Sequence, residues 1–85
     1  MNDCPWQTID QFRNHEQVNR FVEWMNQQIG QSQAREVPVG QRYVGSSLLQ
    51  EKWFQHSPSG AIWRLVWPDP PFAGLFEPVT SEAHL

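Results

Sequence analysis

The side chains that could do chemistry are few and widely spaced. The histidines are His15, His56 and His84, and Cys4 is the only cysteine. No two histidines have the i, i+4 spacing that places two metal ligands on one helix face, and a single cysteine supports neither a disulfide nor a paired-cysteine metal site. The sequence therefore predicts no metal and no cofactor.

Arrangements for catalysis are equally sparse. Cys4 precedes Pro5 in a segment that we expect to lead into the domain, so a passive thiol is favoured over a nucleophile. The five glycines are isolated, and none builds a loop that cradles a phosphate. A chain of 85 residues also has little volume for both a core and a pocket of about 300 Å³ or more. We predict a protein that is not an enzyme.

Length and composition predict one folded domain over residues 1–85, with residues 1–7 as a lead-in segment and residues 80–85 as a frayed tail. Hydrophobic residues make up 39% of the chain and aromatic residues 13%, which excludes a disordered chain. No apolar stretch reaches the roughly 18–20 residues that a membrane helix requires, so we predict no membrane partner.

Charge and termini bear on partners and location. Six basic residues oppose nine acidic ones, for a net charge of −3, and the five arginines are scattered along the chain. A nucleic-acid-binding domain usually concentrates basic residues on one face, so we predict no nucleic-acid partner. The N-terminus lacks the basic and apolar regions of a secretory signal, and one cysteine fits a reducing compartment. We therefore expect a cytoplasmic protein.

The clearest element that could position side chains is a helix from His15 to Ile29. Its apolar residues recur at intervals of three and four, so they form one stripe along the helix. The stripe consists of Val18, Phe21, Val22, Met25 and Ile29. Asn14 with Gln17 predicts a capping pair at the start of the helix, and Gly30 predicts a left-handed cap at its end.

Two further features lie before and beside this helix. Thr8 with Gln11 fits a capping box and predicts a short helical turn ahead of the main helix. Trp6 is expected to fold back onto the body of the domain, and Trp24 lies at the edge of the apolar stripe. Whether each tryptophan belongs to the core or to the surface stays open.

The second half of the chain is β in character. Residues 49–56 and 61–67 flank a Ser-Pro-Ser-Gly sequence that suits a type I turn, so we predict an antiparallel hairpin. Shorter pieces over 36–39 and 75–79 each contain a proline, which predicts edge strands. These elements predict an α+β fold, in which one N-terminal amphipathic helix packs on a three- to four-stranded antiparallel sheet.

A symmetric turn sets the hairpin register, with Trp53 opposite Arg64 and Phe54 opposite Trp63. Strand alternation puts Phe54 and Trp63 on the more apolar face, which we assign to the helix. Glu51, Trp53 and Arg64 share the other face, where a cation–π contact between Trp53 and Arg64 is predicted. This composition is typical of a binding hot spot and equally of a solvated sheet with a covered tryptophan. A one-residue slip in register would exchange the two faces.

The sequence Trp-Pro-Asp-Pro-Pro-Phe over residues 67–72 has two interpretations. A proline-rich stretch between aromatic residues can be recognised by a partner as a polyproline II segment. It can also be a stiff crossover whose end residues, Trp67 and Phe72, are both anchored in the core. We favour the crossover.

Within residues 50–79, the strand sequence Trp-Arg-Leu is followed by Pro-Asp-x-Pro-Phe-x-Gly. This stretch resembles small bacterial proteins that sit beside large Rhs-type polymorphic toxins. The resemblance implies an immunity protein, which binds and neutralises a cognate toxin domain. The shared pattern is one of scaffold residues, so it implies no particular toxin-contacting residue.

These observations together predict a protein-binding module that blocks the active site or a functional surface of a toxin. The candidate partner-contacting residues are Glu51, Trp53, Arg64 and Asp69. If their face is free, replacing Trp53 and Arg64 by alanine weakens partner binding and leaves the thermal midpoint within a few degrees. The alternatives are a small homodimeric accessory protein that assembles through its sheet, and a small-ligand binder. Monomer and homodimer both stay open.

Overall fold

The chain forms one N-terminal helix followed by a four-stranded antiparallel sheet, so the predicted α+β fold is confirmed. The structure is a computed structural model that describes residues 4–45 and 48–79. Its elements are α1 (His15–Gly30), β1 (Ala34–Val37), a 3-10 turn (Tyr43–Gly45), β2 (Glu51–His56), β3 (Ile62–Val66) and β4 (Leu75–Pro78). The strands lie in the order β1-β2-β3-β4. The predicted tail and the first three residues of the predicted lead-in lie outside the described residues.

The start of α1 is capped by the predicted pair. Asn14 Oδ1 accepts a hydrogen bond from the Gln17 N–H at 2.9 Å, and Gln17 Oε1 accepts one from the Arg13 N–H at 2.6 Å. The first turn of a helix leaves main-chain donors without partners inside the helix, and the two side chains supply partners at this end.

The predicted left-handed cap at Gly30 is wrong. Gly30 is the last residue of α1, and the positive φ, 61°, occurs two residues later at Ser32. The Ser32 N–H donates to the Ile29 carbonyl at 3.0 Å, which satisfies one of the last helical carbonyls. The helix therefore continues through its glycine before the chain reverses into β1.

The helical turn predicted after Thr8 is also wrong. Ile9 and Phe76 of β4 exchange two main-chain hydrogen bonds, at 2.8 and 2.9 Å, so this segment runs beside the edge of the sheet. One isolated helical turn is unfavourable to nucleate, whereas this bridge satisfies an edge strand. Trp6 folds back onto the body as predicted and is only 8% exposed.

The hairpin of β2 and β3 has the predicted register, with Trp53 opposite Arg64 and Phe54 opposite Trp63. The His56 N–H donates to the Ala61 carbonyl at 2.8 Å and closes the loop. Because the turn fixes which residues pair, the apolar face meets the helix and no slip in register occurs.

The main core lies between α1, the lead-in and the helix-facing side of the sheet. Its buried residues are Trp6, Phe12, Val18, Met25, Ala34, Phe54, Trp63, Leu65 and Phe76. Trp6 belongs to this core and contacts Trp63 and Phe76 through its ring. Trp24 of α1, in contrast, is 37% exposed, and its ring packs edge-on against the Trp6 ring.

The segment from Trp67 to Phe72 is a tight turn, so its interpretation as a polyproline II ligand is wrong. Asp69 and Phe72 exchange two main-chain hydrogen bonds at 2.9 Å, and the Pro70–Pro71 peptide bond is cis. Trp67 packs against the main core, whereas the Phe72 ring stacks on Tyr43 outside it. The crossover is therefore anchored at both ends, but not in one core.

Candidate functional site

The face of the sheet that points away from α1, the outer face, becomes more exposed towards the hairpin turn. Its side chains lie in three rows across the strands. The first row is Glu51, Val66 and Leu75, the second is Val37, Trp53, Arg64 and Glu77, and the third is Arg35, Gln55, Ile62 and Val79. The first row is buried, the second is largely covered, and the third is open to solvent in part.

The cover is residues 38–45, which cross the outer face after β1 and form the strap. A Cβ atom added to Gly40 would lie 3.5 Å from Cζ3 of Trp53, so the strap backbone passes close over the tryptophan ring. The Tyr43 N–H donates to Glu51 Oε1 at 2.7 Å. The strap therefore contacts two of the predicted site residues directly.

Glu51 links the strap to the sheet. Its side chain is 1% exposed, and its second oxygen, Oε2, accepts the indole N–H of Trp53 at 2.7 Å. The same oxygen lies 3.7 Å from Nε of Arg64. A buried carboxylate is costly unless it is paired and hydrogen-bonded, and here two donors and a guanidinium meet that requirement.

Arg64 is held mainly by rings and by charge. Its Cζ lies 5.4 Å from the centre of the Tyr43 ring and 5.7 Å from that of the Trp53 ring, so the predicted contact with Trp53 is confirmed. Its buried Nε has no hydrogen-bond partner in the described part of the chain. The nearest carboxylates are those of Glu51 and of Glu77, which lies 3.9 Å away.

Asp69 joins this group at a distance. It is exposed in the turn before β4, where its two main-chain hydrogen bonds to Phe72 hold that residue in place beside the strap. The Phe72 ring stacks on Tyr43 at 5.8 Å between centres and 28° between planes. The structure thus brings Glu51, Trp53 and Arg64 into contact and connects Asp69 to them through Phe72 and Tyr43.

Tyr43 and Phe72 are the members of this group that the sequence analysis missed as site residues. Both stand in connections between strands, where no periodicity shows which face of the sheet a side chain will meet. The available signal is that each is an aromatic residue in an otherwise polar or proline-rich loop. Such residues usually have packing partners, although the sequence does not show which.

The condition that this face is free is not met at Glu51 and Trp53, which are only 7% and 8% exposed, so Trp53 fits the alternative of a covered tryptophan. Alternation along the hairpin assigns residues to a face but says nothing about a loop that later folds across it. Of the four candidate contact residues, Asp69 is exposed and Arg64 is partly exposed. That these residues contact a partner stays a prediction.

A second polar pair lies at the hairpin turn. Nδ1 of His56 is 2.7 Å from Oγ of Ser59, and that oxygen also accepts the Ala61 N–H at 3.2 Å. His56 is 5% exposed and packs edge-on against Trp6, with ring centres 5.0 Å apart. These contacts close the turn and bury the imidazole. The described residues hold no group of three or more side chains placed to bind a metal ion.

Comparison with known proteins adds no relative. No family model, no curated protein and no solved structure matches this chain. Within the described ranges, no helix is both long and apolar enough to cross a membrane. A proposal about function therefore depends on the outer face and the strap, together with the resemblance over residues 50–79.

Proposed function

We propose that this protein is a non-enzymatic binding module, an immunity protein of the cytoplasm that binds a cognate toxin domain and neutralises it. The observation that carries the proposal is the cluster of Tyr43, Trp53, Arg64 and Phe72 on the outer face. Tyrosine, tryptophan and arginine are the residue types that dominate the binding energy of protein interfaces. Their concentration on the face opposite α1 supports a role in binding.

The position of the cluster also favours a protein partner over a small ligand. It lies on the outer face under and beside the strap, next to the partly exposed row that includes Gln55 and Ile62. Broad, mixed surfaces of this kind suit protein contacts, whereas small ligands favour enclosed pockets. The site would use no cofactor, because its side chains supply aromatic, aliphatic and charged contacts alone.

Overall charge is compatible with a basic target. The net charge of −3 would attract a positively charged toxin domain over long range and raise the rate of encounter. Because the charge is modest and not clustered, we assign most of the affinity to the aromatic residues and Arg64. Neutralisation then requires only that the bound protein covers the active site or a functional surface of the toxin.

The test begins with affinity capture of the tagged protein from its native host lysate, read by mass spectrometry with stoichiometry. We expect one partner at a ratio near one to one, the C-terminal domain of a large secreted polypeptide. Producing that domain in a host cell should stop growth, and co-producing this protein should restore it. Recovery of the protein alone, or a partner domain that is harmless to the cell, would contradict the proposal.

The surface is tested in the same system with a matched pair of variants. Arg64→Lys keeps the positive charge but loses the planar group that lies over Tyr43 and Trp53, so binding should weaken by about tenfold. Arg20→Lys, on the exposed side of α1, should bind as the unmodified protein does. Equal affinity of both variants would place the interface elsewhere on the molecule.

A further inference from the structure

We propose that the strap, residues 38–45, opens by local unfolding while the sheet and helix stay folded. Opening exposes Glu51, Trp53 and Arg64 to the protein partner. As a step in partner binding this proposal rests on the proposed function, whereas the opening itself is a property of the isolated chain. The site predicted from sequence is then present in the fold but covered in the resting state.

In the described part of the chain, the strap is attached through side chains. The Tyr43 N–H donates to the Glu51 side chain, and the Arg42 side chain donates to the Leu49 carbonyl at 3.1 Å. The Tyr43 ring contacts Phe72 and Arg64, and the Gly45 N–H bonds within the strap to the Arg42 carbonyl at 2.9 Å. Its exposed residues are Pro38, Gly40, Gln41, Arg42 and Gly45. Segments with few buried contacts and few protected hydrogen bonds open at a lower free energy than the fold as a whole.

The layer beneath the strap is held independently of it. β2 pairs with β1 on one side and β3 on the other, and β3 pairs with β4. Leu65 and Val66 of β3 are 0% exposed, and Leu65 belongs to the core on the helix side. Loss of the strap therefore removes one cover from the outer face and leaves the ladder and the main core in place.

The open state has a definite chemistry. Moving the strap away frees Oε1 of Glu51 and one side of the Arg64 guanidinium from Tyr43, and one side of the Trp53 ring from Gly40. Water can donate to this carboxylate in the open state, so a bound partner that excludes the water must supply a donor in its place, because leaving the oxygen unsatisfied is costly. The occupant that fits is an extended segment of the partner that donates an N–H to Glu51 and lays an aromatic ring against Arg64. It takes over the contacts that the strap makes.

Two indole N–H groups allow the opening to be measured without a partner. That of Trp53 is hydrogen-bonded to Glu51 beneath the strap, whereas that of Trp63 is buried on the helix side with no hydrogen-bond partner in the described residues. In a fold that opens only globally, the bonded Trp53 proton would exchange no faster than the Trp63 proton. If the strap opens locally, we expect the Trp53 proton to exchange at least about tenfold faster by NMR. Equal exchange, or slower exchange at Trp53, overturns the proposal.

Two glycine variants separate strap opening from global stability. Gly40→Ala adds a methyl at ordinary contact distance from Trp53 and reduces the freedom of the open strap. It should slow Trp53 indole exchange by about two- to fivefold and leave Trp63 unchanged. Gly30→Ala, at the end of α1 with nothing within 4 Å of the added atom, should change both indoles alike or neither. If Gly40→Ala also affects both indoles alike, the strap does not move on its own.

The binding step is then tested with the captured toxin domain. When only the open state binds, the apparent affinity falls in proportion to the open population, so Gly40→Ala should weaken binding by the factor that it slows exchange. Unchanged affinity of this variant would overturn the role of opening in binding while the proposed function stands. Failure to capture any toxin domain would contradict the proposed function and leave the exchange result valid.

Discussion

At the scale of single residues, Glu51 decides how the outer face is built. Its two carboxylate oxygens serve different elements, since Oε1 binds the strap at Tyr43 and Oε2 binds the Trp53 indole in its own strand. The residue is acidic, yet its side chain is 1% exposed. A glutamate at this position therefore connects two segments of the chain in addition to carrying a charge.

Trp53 should behave as a core residue although it lies outside the main core. Trp53→Ala removes a ring that packs against Gly40 and Arg64, and it leaves Oε2 of Glu51 without its hydrogen-bond donor. We expect the free energy of unfolding, measured by urea denaturation, to fall by about 3–5 kcal/mol. This replaces the sequence-based expectation of a change within a few degrees in the thermal midpoint, which assumed a free face.

Trp24→Ala is the control for this variant, because it removes the same side chain from a site that is 37% exposed. Its cost should be less than half that of Trp53→Ala, since less apolar surface is returned to water. If the two variants cost the same, the strap does not shield Trp53 in solution as it does in the structure.

At the scale of elements, the connection between β3 and β4 depends on Gly74. Its φ is +80°, and an added Cβ would lie 2.8 Å from both the Val66 oxygen and the Pro68 nitrogen. Both obstacles are backbone atoms, which cannot rotate away as a side chain does. The glycine thus allows the chain to pass close to the end of β3 before it enters β4.

Gly74→Ala should therefore destabilise the fold by more than left-handed backbone strain alone. Gly60→Ala in the hairpin turn is the matched variant, because its φ is also +80° and the nearest atom is a flexible side chain at 4.0 Å. We expect a loss of about 1–2 kcal/mol for Gly60→Ala and at least about twice that for Gly74→Ala. Thermal or urea denaturation measures both, and equal losses would show that the close approach relaxes without cost.

At the scale of the whole molecule, the sheet is covered unequally on its two faces, and its two edges also differ. On the β4 edge, the main-chain groups of Phe76 are occupied by Ile9, and Pro78 has no N–H to offer. On the β1 edge, the Ser57 N–H donates to the Gln33 carbonyl, so these two residues form a hydrogen-bonded pair at the end of the β1–β2 ladder. Hydrogen-bonded pairs alternate along an antiparallel ladder, so the main-chain groups of residues 34 and 36 point away from β2. The β4 edge is therefore largely occupied, whereas the β1 edge offers the main-chain groups of residues 34 and 36 to another strand.

Self-association through the β1 edge is disfavoured by charge. Antiparallel pairing of two copies about Arg35 sets that arginine opposite its own copy, and like charges opposite each other destabilise a sheet. Pairing about Glu36 opposes two carboxylates and needs an N–H that Pro38 lacks. Neither of these two registers therefore favours the sequence-based alternative of a homodimer.

We accordingly expect a monomer in solution. The thermal midpoint should stay constant over about a hundredfold range of protein concentration, because a dimer that stabilises the fold makes the midpoint depend on concentration. Analytical ultracentrifugation should give the mass of one chain, 10.0 kDa. A midpoint that rises with concentration, together with twice this mass, would favour assembly through a sheet face instead.

The sequence by itself determined the features that depend on neighbouring residues. The apolar stripe of α1, the capping by Asn14 and Gln17, and the hairpin register with Trp53 opposite Arg64 were all predictable. Helical period, capping chemistry and turn length act over a few positions, so a single sequence contains the information that decides them.

Only the tertiary structure decided which surfaces are covered. The strap lies over Trp53, the segment before α1 pairs with β4 through Ile9, and Phe72 contacts Tyr43. Each of these contacts joins segments that are far apart in the chain, and their energies depend on the shape that the finished sheet presents. Local sequence patterns do not encode that shape. They predict that the candidate residues of the hairpin share one face, but they do not predict the loop that covers this face.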